Sequence, residues 1–142
     1  MIRGIILILS IAGFANACYF TFAYYGKVRG VRWIPAVLCA RDGSSCLTVV
    51  QTPYARVLGP PNSLLGIIYY LLVVAWALAE PAGTGWLILL LAMSASAVVL
   101  GGYLIYALRH KLHVDCPLCY AAHAANAALF AILLDVCLRA GR

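Results

Sequence analysis

Four long apolar stretches, separated by short polar breaks, constrain the fold of this chain more than any other feature. They cover roughly residues 4–25, 62–79, 85–108 and 116–138, and each approaches the ~20 residues that an α-helix needs to cross ~30 Å of hydrocarbon. Only 10% of the 142 residues are charged, against about a quarter in soluble domains. The sequence therefore predicts an all-α membrane protein, a four-transmembrane-helix bundle that forms one domain over residues 1–142.

The first apolar stretch has one feature of a cleaved signal peptide, because Arg3 precedes its apolar core. No small-residue cleavage site ends it, however, and Tyr19, Phe20, Tyr24 and Tyr25 are typical of the aromatic belt at a membrane–water interface. We therefore expect this helix to be retained as a transmembrane span.

The net charge of +6 does not indicate binding of nucleic acid, because the basic residues are scattered and flank the apolar stretches. They predict instead a multi-pass protein of the cell membrane. By the positive-inside rule, the connections after the first and third helices lie in the cytoplasm, since that side holds more basic residues. Those connections hold Lys27, Arg29, Arg32, Arg41, Arg56, Arg109 and Lys111, whereas the other side holds Arg3, Arg139 and Arg142.

The connection at residues 26–61 is too long for a simple link, and loops of this length usually carry a function. Apolar residues interrupt it, which favours a position on the membrane surface or over the mouth of the bundle. It contains Cys39 and Cys46, and Asp42-Gly43 between them is a turn-forming pair that lets the two sulfurs approach each other. We predict a lid with short helical segments that carries a redox pair.

Cys116 and Cys119 stand at the start of the fourth apolar stretch. Cysteines at this spacing can form and reopen a disulfide, and a helix N-terminus stabilises a thiolate. Pro117 suits the first helical turn, where its missing N–H is not needed. Cys39 and Cys46 emerge on the same side of the bilayer, because an even number of crossings separates the two connections. The pattern indicates a membrane enzyme that passes electrons between dithiols and a lipid-soluble carrier.

Three alternatives to this redox interpretation stay open. Two cysteine pairs are also a ligand set for structural zinc. A haem- or metal-binding four-helix protein could use His123 with His110 or His113, and a purely structural subunit would need no dithiol. We expect Cys18 and Cys137 to be buried apolar residues, since Cys137 lies about 31 Å along the fourth helix from the dithiol.

The fourth helix carries polar residues on the same face as the dithiol. At 100° per residue, the positions Cys116, Cys119, His123 and Asn126 fall within an arc of about 80°. Polar side chains inside a span are costly and often functional, and His123 could bond a carbonyl or shuttle a proton. The alternative is a hydrogen bond that only holds the helices together. Asn62 could face the same cavity or only cap the second helix.

In their order along the chain, these residues resemble the vitamin K epoxide reductase family. The likeness covers nearly the whole chain, and the succession of loop pair, Asn-Ser-x-x-Gly and helix-four dithiol is specific. Other quinone-linked disulfide-forming membrane enzymes also use four helices but carry a Cys-x-x-Cys in the first loop. The matching residues are Cys39, Cys46, the segment Val57 to Gly66, Tyr70, and Cys116-Pro117-Leu118-Cys119.

The resemblance implies a quinone of menaquinone or ubiquinone type among the four helices, and oxidation of a thioredoxin-like protein or of substrate dithiols. Cys119 would react with the quinone as a thiolate, and Cys116 would close the disulfide. Cys46 would then attack Cys116, and Cys39 would close on Cys46. The cofactor-binding residues that the resemblance and the helix pattern suggest are Asn62, Ser63, Tyr70, His123 and Asn126.

The sequence departs from the family pattern in two ways. Many prokaryotic members carry a fused thioredoxin-like domain, and this sequence has none, so we expect a separate redox partner. Where this chain has His123, the vertebrate enzyme has a quinone-contacting tyrosine, which favours quinone reduction over vitamin K epoxide chemistry here. The family also usually places its cysteines outside the cytoplasm, opposite to the side that the charge count indicates.

Overall fold

The computed structural model describes residues 2–27, 45–79 and 84–140. Four of the described helices are long and apolar enough to cross a membrane. Together with the short helical pieces between the first two of them, they confirm the predicted fold class. The helices are α1 (Ile2–Tyr24), α2 (Ser45–Val50), α3 (Asn62–Ala79), α4 (Thr84–Ala107) and α5 (Pro117–Ala140), with a 3-10 turn at Pro53–Arg56 and a π-helical turn at Leu108–Leu112.

The outer surface of the bundle is apolar, as a lipid environment requires. Ile8 on α1 is 69% exposed, Leu78 on α3 is 68% exposed and Val99 on α4 is 74% exposed. Lipid tails are as apolar as these side chains, so their exposure costs nothing in a bilayer. The burial pattern is therefore that of a membrane bundle.

The small residues of α1 let α3 approach closely. A Cβ atom at Gly13 would lie 2.5 Å from the hydroxyl oxygen of Tyr70, so only glycine fits against that ring. Close approach through small residues is the usual way in which helices associate in membranes. The buried positions of α1 recur mostly at intervals of three and four residues, and they are Ile6, Ser10, Gly13, Ala17, Phe20, Thr21 and Ala23.

The connection out of α1 begins with a tight helix end. Gly26 has a φ of +68°, and the N–H of Lys27 donates to the carbonyl of Phe22 at 3.0 Å. This is a Schellman ending, for which glycine is the favoured residue. The side-chain amide of Gln51 donates to the carbonyl of Tyr24 at 3.3 Å and ties the segment after α2 to the end of α1.

The ends of α4 and α5 differ slightly from the predicted bounds. The third span continues beyond residue 108, because the five residues Leu108–Leu112 form a π-helical turn after Ala107. It ends where His113 adopts the left-handed conformation with a φ of 51°, and the N–H groups of His113 and Val114 both bond to the carbonyl of Leu108. The fourth span begins at Pro117, so Cys116 is the N-cap residue of α5.

The buried side chains form two clusters at different depths of the bundle. We name them the near cluster, which contains the dithiol, and the far cluster, which contains residues from all four spans. The near cluster consists of Phe20, Ala23, Val50, Leu108, Cys116 and Cys119. The far cluster consists of Ile6, Ala17, Tyr69, Tyr70, Val73, Ala77, Leu87, Leu90, Leu129 and Leu133.

Candidate functional site: a dithiol beside an apolar cavity

The dithiol is buried at the start of α5, where Cys116 is 0% and Cys119 is 9% exposed. The sulfur of Cys116 accepts the thiol proton of Cys119, with 2.6 Å between the sulfurs, and the backbone N–H of Cys119 at 3.4 Å. The sulfur of Cys116 therefore caps the helix in the way that an oxygen does at other N-caps.

These hydrogen bonds favour the thiolate form of Cys116. The bond from the Cys119 thiol lowers the pKa of Cys116 below its ordinary value, burial opposes this, and the backbone N–H groups of Cys119 and Leu118 reinforce it. The cause is position, because the sulfur of an N-cap residue meets the unpaired N–H groups of the helix. The reaction of Cys119 with a quinone as a thiolate stays a prediction.

A cavity of about 900 Å³ lies among α1, α3, α4 and α5, and Cys119 is part of its wall. Its volume falls in the range of about 300–1,000 Å³ that small-molecule sites occupy. Most of the wall is aliphatic or aromatic. The cavity wall includes every residue predicted to bind a cofactor, namely Asn62, Ser63, Tyr70, His123 and Asn126.

His123 lies in the cavity wall against the backbone of α4. A Cβ atom at Gly101 would lie 2.8 Å from Nδ1 of His123, so the absence of a side chain at Gly101 makes room for the imidazole. Nδ1 is buried and has no hydrogen-bond partner among the described residues. A buried polar atom without a partner costs about 1–3 kcal/mol, so this nitrogen calls for an explanation. The alternative of an interhelical hydrogen bond has no support in the described part of the chain.

Two of the predicted cofactor-binding residues are bonded to each other across the bundle. The hydroxyl of Tyr70 on α3 donates to Oδ1 of Asn126 on α5 at 2.7 Å. This bond leaves the N–H groups of the Asn126 amide for a further partner. Ser63 accepts a hydrogen bond from the hydroxyl of Thr21 at 2.9 Å, which joins α3 to α1.

Asn62, the first residue of α3, holds in place the lid segment, by which we mean residues 45–61. Its Nδ2 donates to the carbonyl of Tyr54 at 2.7 Å, and its Oδ1 accepts the N–H of Val57 at 3.2 Å. Both ends of the amide are thus used on the backbone around the 3-10 turn rather than on the N-terminus of α3. The binding of a cofactor by Asn62 stays a prediction.

The lid segment, residues 45–61, packs over the dithiol end of the bundle. Val50 is 5% exposed and belongs to the near cluster together with Cys116. The ring of Tyr54 lies 6.3 Å from the ring of Tyr103 on α4, centroid to centroid. The lid thereby closes one end of the cavity with apolar and aromatic side chains.

The predicted loop pair is not tested by this geometry. Cys39 and the side chain of Cys46 lie outside the described residues, and the backbone of Cys46 is part of α2. Their disulfide and their exchange with Cys116 stay predictions.

Asn16 is a site residue that the sequence analysis missed. It lies on α1 in the cavity wall, and its Nδ2 donates to the carbonyl of Leu118 at 3.0 Å. Its Oδ1 is buried and has no partner among the described residues. The sequence itself indicated Asn16, because it is a polar residue inside an apolar span. An amide in such a position is costly and is often functional, as for His123.

The haem- or metal-binding alternative finds no support in the described ranges, whereas the four-cysteine zinc alternative involves Cys39 and the side chain of Cys46 and lies outside them. No three His, Cys, Asp or Glu residues come together within the described ranges in a way that could hold a metal ion. His110 lies instead against the ring of Tyr106, with 4.9 Å between the ring centroids.

The model of the vitamin K epoxide reductase family matches residues 4–134. The match runs from the first turn of α1 almost to the end of α5 and includes both cysteine pairs. A search of curated proteins finds no match.

Proposed function

Because the chain belongs to the vitamin K epoxide reductase family, and is therefore a multi-pass membrane thiol oxidoreductase, we propose that it transfers electrons from protein dithiols to a quinone. Proteins of this family are linked to quinones in general. One observation supports the proposal above all. Cys119 lies in the wall of a cavity of about 900 Å³. Its thiol donates a hydrogen bond to the sulfur of Cys116, with 2.6 Å between the two sulfurs.

The residues around the cavity fit a quinone. A quinone is a flat apolar ring with two carbonyl oxygens, so its site needs apolar walls and a few hydrogen-bond donors. Nδ1 of His123 and the free N–H groups of Asn126 can donate, and Oδ1 of Asn16 can accept from the hydroxyl group of the reduced form. These donors and the apolar wall suit a menaquinone or ubiquinone type, with its isoprenoid chain directed to the lipid.

The dithiol supplies both electrons in this proposal. A bound quinone takes up two electrons and two protons and leaves as a quinol. Closing the Cys116–Cys119 disulfide oxidises the pair by two electrons and frees the proton of the Cys119 thiol. His123 is placed to hold the second proton at Nδ1 beside the cavity, because no described protein group occupies that nitrogen.

The loop pair then restores the dithiol. The Cys46 thiolate attacks Cys116, the bond between Cys116 and Cys119 breaks, and Cys119 leaves as a thiolate that takes up a proton. Cys39 next attacks Cys46, which frees Cys116 and leaves the pair in the loop oxidised. The loop disulfide accepts electrons from a thioredoxin-like protein or a substrate dithiol. The position of α2 supports this route, since Val50 packs in one cluster with Cys116 and Cys46 stands four residues earlier on the same helix.

We place the cysteine side in the cytoplasm on the basis of the charge count. Of the basic residues in the described ranges, Lys27, Arg56, Arg109 and Lys111 lie at that end of the bundle. Labelling of Cys39 in intact cells with a membrane-impermeant thiol reagent tests the orientation. We expect protection until the cells are permeabilised, and prompt labelling of intact cells would place the cysteines outside.

Cys116→Ala tests the electron route. With purified protein, a reduced small dithiol and a quinone, we expect the loss of quinone absorbance to stop, because no disulfide can form on α5. Binding of the quinone, measured by equilibrium dialysis, should persist because Cys119 still lines the cavity. Cys137→Ala is the matched control, since Cys137 packs against the far cluster, and its turnover should equal that of the unmodified protein. Full turnover by Cys116→Ala would refute the assignment.

A further inference from the structure

The peptide group between Leu118 and Cys119 is held at both ends. Its carbonyl oxygen accepts the side-chain N–H of Asn16 at 3.0 Å. Its N–H donates to the sulfur of Cys116, with 3.4 Å between nitrogen and sulfur. Because a peptide group is planar, a side chain that fixes the oxygen also fixes the direction in which the N–H points.

We propose that Asn16 is a positioning residue for the redox pair, which orients and polarises the Cys119 N–H that stabilises the Cys116 thiolate. Amides in a chain of hydrogen bonds polarise one another, so a carbonyl that accepts a bond makes the N–H of its own amide a stronger donor. The inference rests on the proposed redox role of the pair and adds a residue from a different helix to it. Through Asn16, α1 contributes to the reactivity of the Cys116 sulfur.

The orientation of the Asn16 amide follows from its two partners. Turning the amide over would bring Oδ1 against the carbonyl oxygen of Leu118 and place two acceptors in contact. In the observed orientation Oδ1 instead lies buried at the cavity wall. The contact with Leu118 therefore requires a donor at this position, which leucine or methionine cannot supply.

Other ionisable groups near Cys116 are separate from this contact. From α1, Tyr19 and Tyr24 pack against the near cluster, and on α5 the Cys119 thiol donates to Cys116. Asp115 accepts the hydroxyl of Tyr120 at 3.0 Å, and the guanidinium of Arg109 lies 5.7 Å from the centroid of that ring. The described side chains that α2 and the π-helical turn add to the near cluster are apolar. Substitution of Asn16 leaves all of these groups in place.

The test measures how fast Cys116 reacts with iodoacetamide as a function of pH, in reduced full-length protein without quinone. Mass spectrometry of the peptide that contains Cys116 separates it from the other cysteines. Asn16→Leu should raise the pH midpoint and slow the reaction at neutral pH about threefold or more, since the thiolate is the reactive form. The equilibrium of the pair with glutathione should shift about three- to tenfold toward the disulfide, or ~15–30 mV at 29.6 mV per tenfold change.

Two variants separate positioning from a merely structural role. Asn16→Gln keeps an amide donor and should return the midpoint toward that of the unmodified protein. Thr21→Val removes different hydrogen bonds of α1, those of the Thr21 hydroxyl with Ser63 at 2.9 Å and with the carbonyl of Ala17 at 2.8 Å, and should leave the midpoint unchanged. If Asn16→Leu does not fold, Asn16→Met decides, because it fits a helix and also lacks a donor.

A pH profile of Asn16→Leu or Asn16→Met that superimposes on that of the unmodified protein overturns the proposal. Equal shifts in Asn16→Leu and Thr21→Val would also overturn it, since they would reflect loosened packing of α1. The outcome is independent of the quinone assignment, because no quinone is present. Turnover by Cys116→Ala would refute the proposed function and leave this measurement unaffected.

Discussion

The end of the bundle that carries the dithiol and the end remote from it are formed by the same four spans, yet they bury different side chains. In the far cluster, Ile6, Val73, Leu129 and Leu133 are all 0% exposed and pack apolar surface on apolar surface. Toward the dithiol, a cavity of about 900 Å³ opens among the helices. The far cluster is packed densely, whereas the cavity lacks the contacts that packed side chains would make.

The boundary between the two regions falls at adjacent tyrosines of α3. Tyr69 shares a hydrogen bond of 2.8 Å with Ser94, a fully buried residue of α4. Tyr70 donates at 2.7 Å to Asn126. Both tyrosines lie in the far cluster and in the cavity wall, but only the hydroxyl of Tyr70 bonds to a residue predicted to bind a cofactor.

Leu133→Ala should have the largest effect on stability and none on chemistry. Leu133 is 0% exposed, and removing a buried leucine side chain costs about 3 kcal/mol through lost contacts and the cavity that remains. Unfolding of the detergent-solubilised protein measures the loss of stability, and quinone turnover per folded molecule should not change.

Leu138→Ala is the matched control for Leu133→Ala, because Leu138 is on the same helix and is 58% exposed. Its effect on stability should stay within ~0.5 kcal/mol. If Leu133→Ala instead lowered turnover of the folded protein, packing in the far cluster would affect catalysis as well as stability.

The fold was predictable because hydropathy and length determine which segments enter a bilayer. The stretch at residues 62–79 shows this, since α3 runs from Asn62 to Ala79. The π-helical extension at Leu108–Leu112 was not predictable. The extension ends where His113 adopts a left-handed conformation and its N–H bonds to the carbonyl of Leu108. Hydropathy carries no information on backbone conformation.

The site was predictable only in part, for a related reason. Spacing on one helix places Cys119, His123 and Asn126 on a common face, so a single-helix argument could group them. Asn16 bonds to the backbone of a helix distant in sequence, and Asn62 bonds to the backbone of the 3-10 turn before its own helix. No periodicity within their helices reveals either partner. A polar residue in a span is visible from the sequence, whereas its partner is known only once the helices are packed.

Gly101→Ala should affect the cavity more than the stability of the bundle. A Cβ at this position would lie 2.8 Å from Nδ1 of His123, so the imidazole must move away from its place in the wall. We expect the KM for quinone to rise about tenfold, equivalent to about 1.4 kcal/mol of binding, through the loss of one well-placed donor. Quinone titration of the purified protein, followed by steady-state kinetics, measures the change.

The neighbouring Gly102 supplies the control for Gly101→Ala. A Cβ at Gly102 meets nothing within 4 Å, so Gly102→Ala should leave the KM unchanged and stabilise the helix by at most about 1 kcal/mol. An unchanged KM in Gly101→Ala would mean that His123 does not contact the quinone, and the second proton would need another carrier.

The smallest expected effects come from removing one hydroxyl on each side of the boundary. Tyr69→Phe and Tyr70→Phe each delete one interhelical hydrogen bond, and such bonds contribute about 0.6 kcal/mol on average in membranes. The two losses of stability should therefore be alike. Only Tyr70→Phe should weaken quinone binding, by about two- to threefold, because it releases the Asn126 amide to rotate. If Tyr69→Phe weakened quinone binding as much as Tyr70→Phe, the hydrogen bond between Tyr69 and Ser94 would also affect the cavity. The boundary between the two regions would then lie farther from the dithiol than these tyrosines.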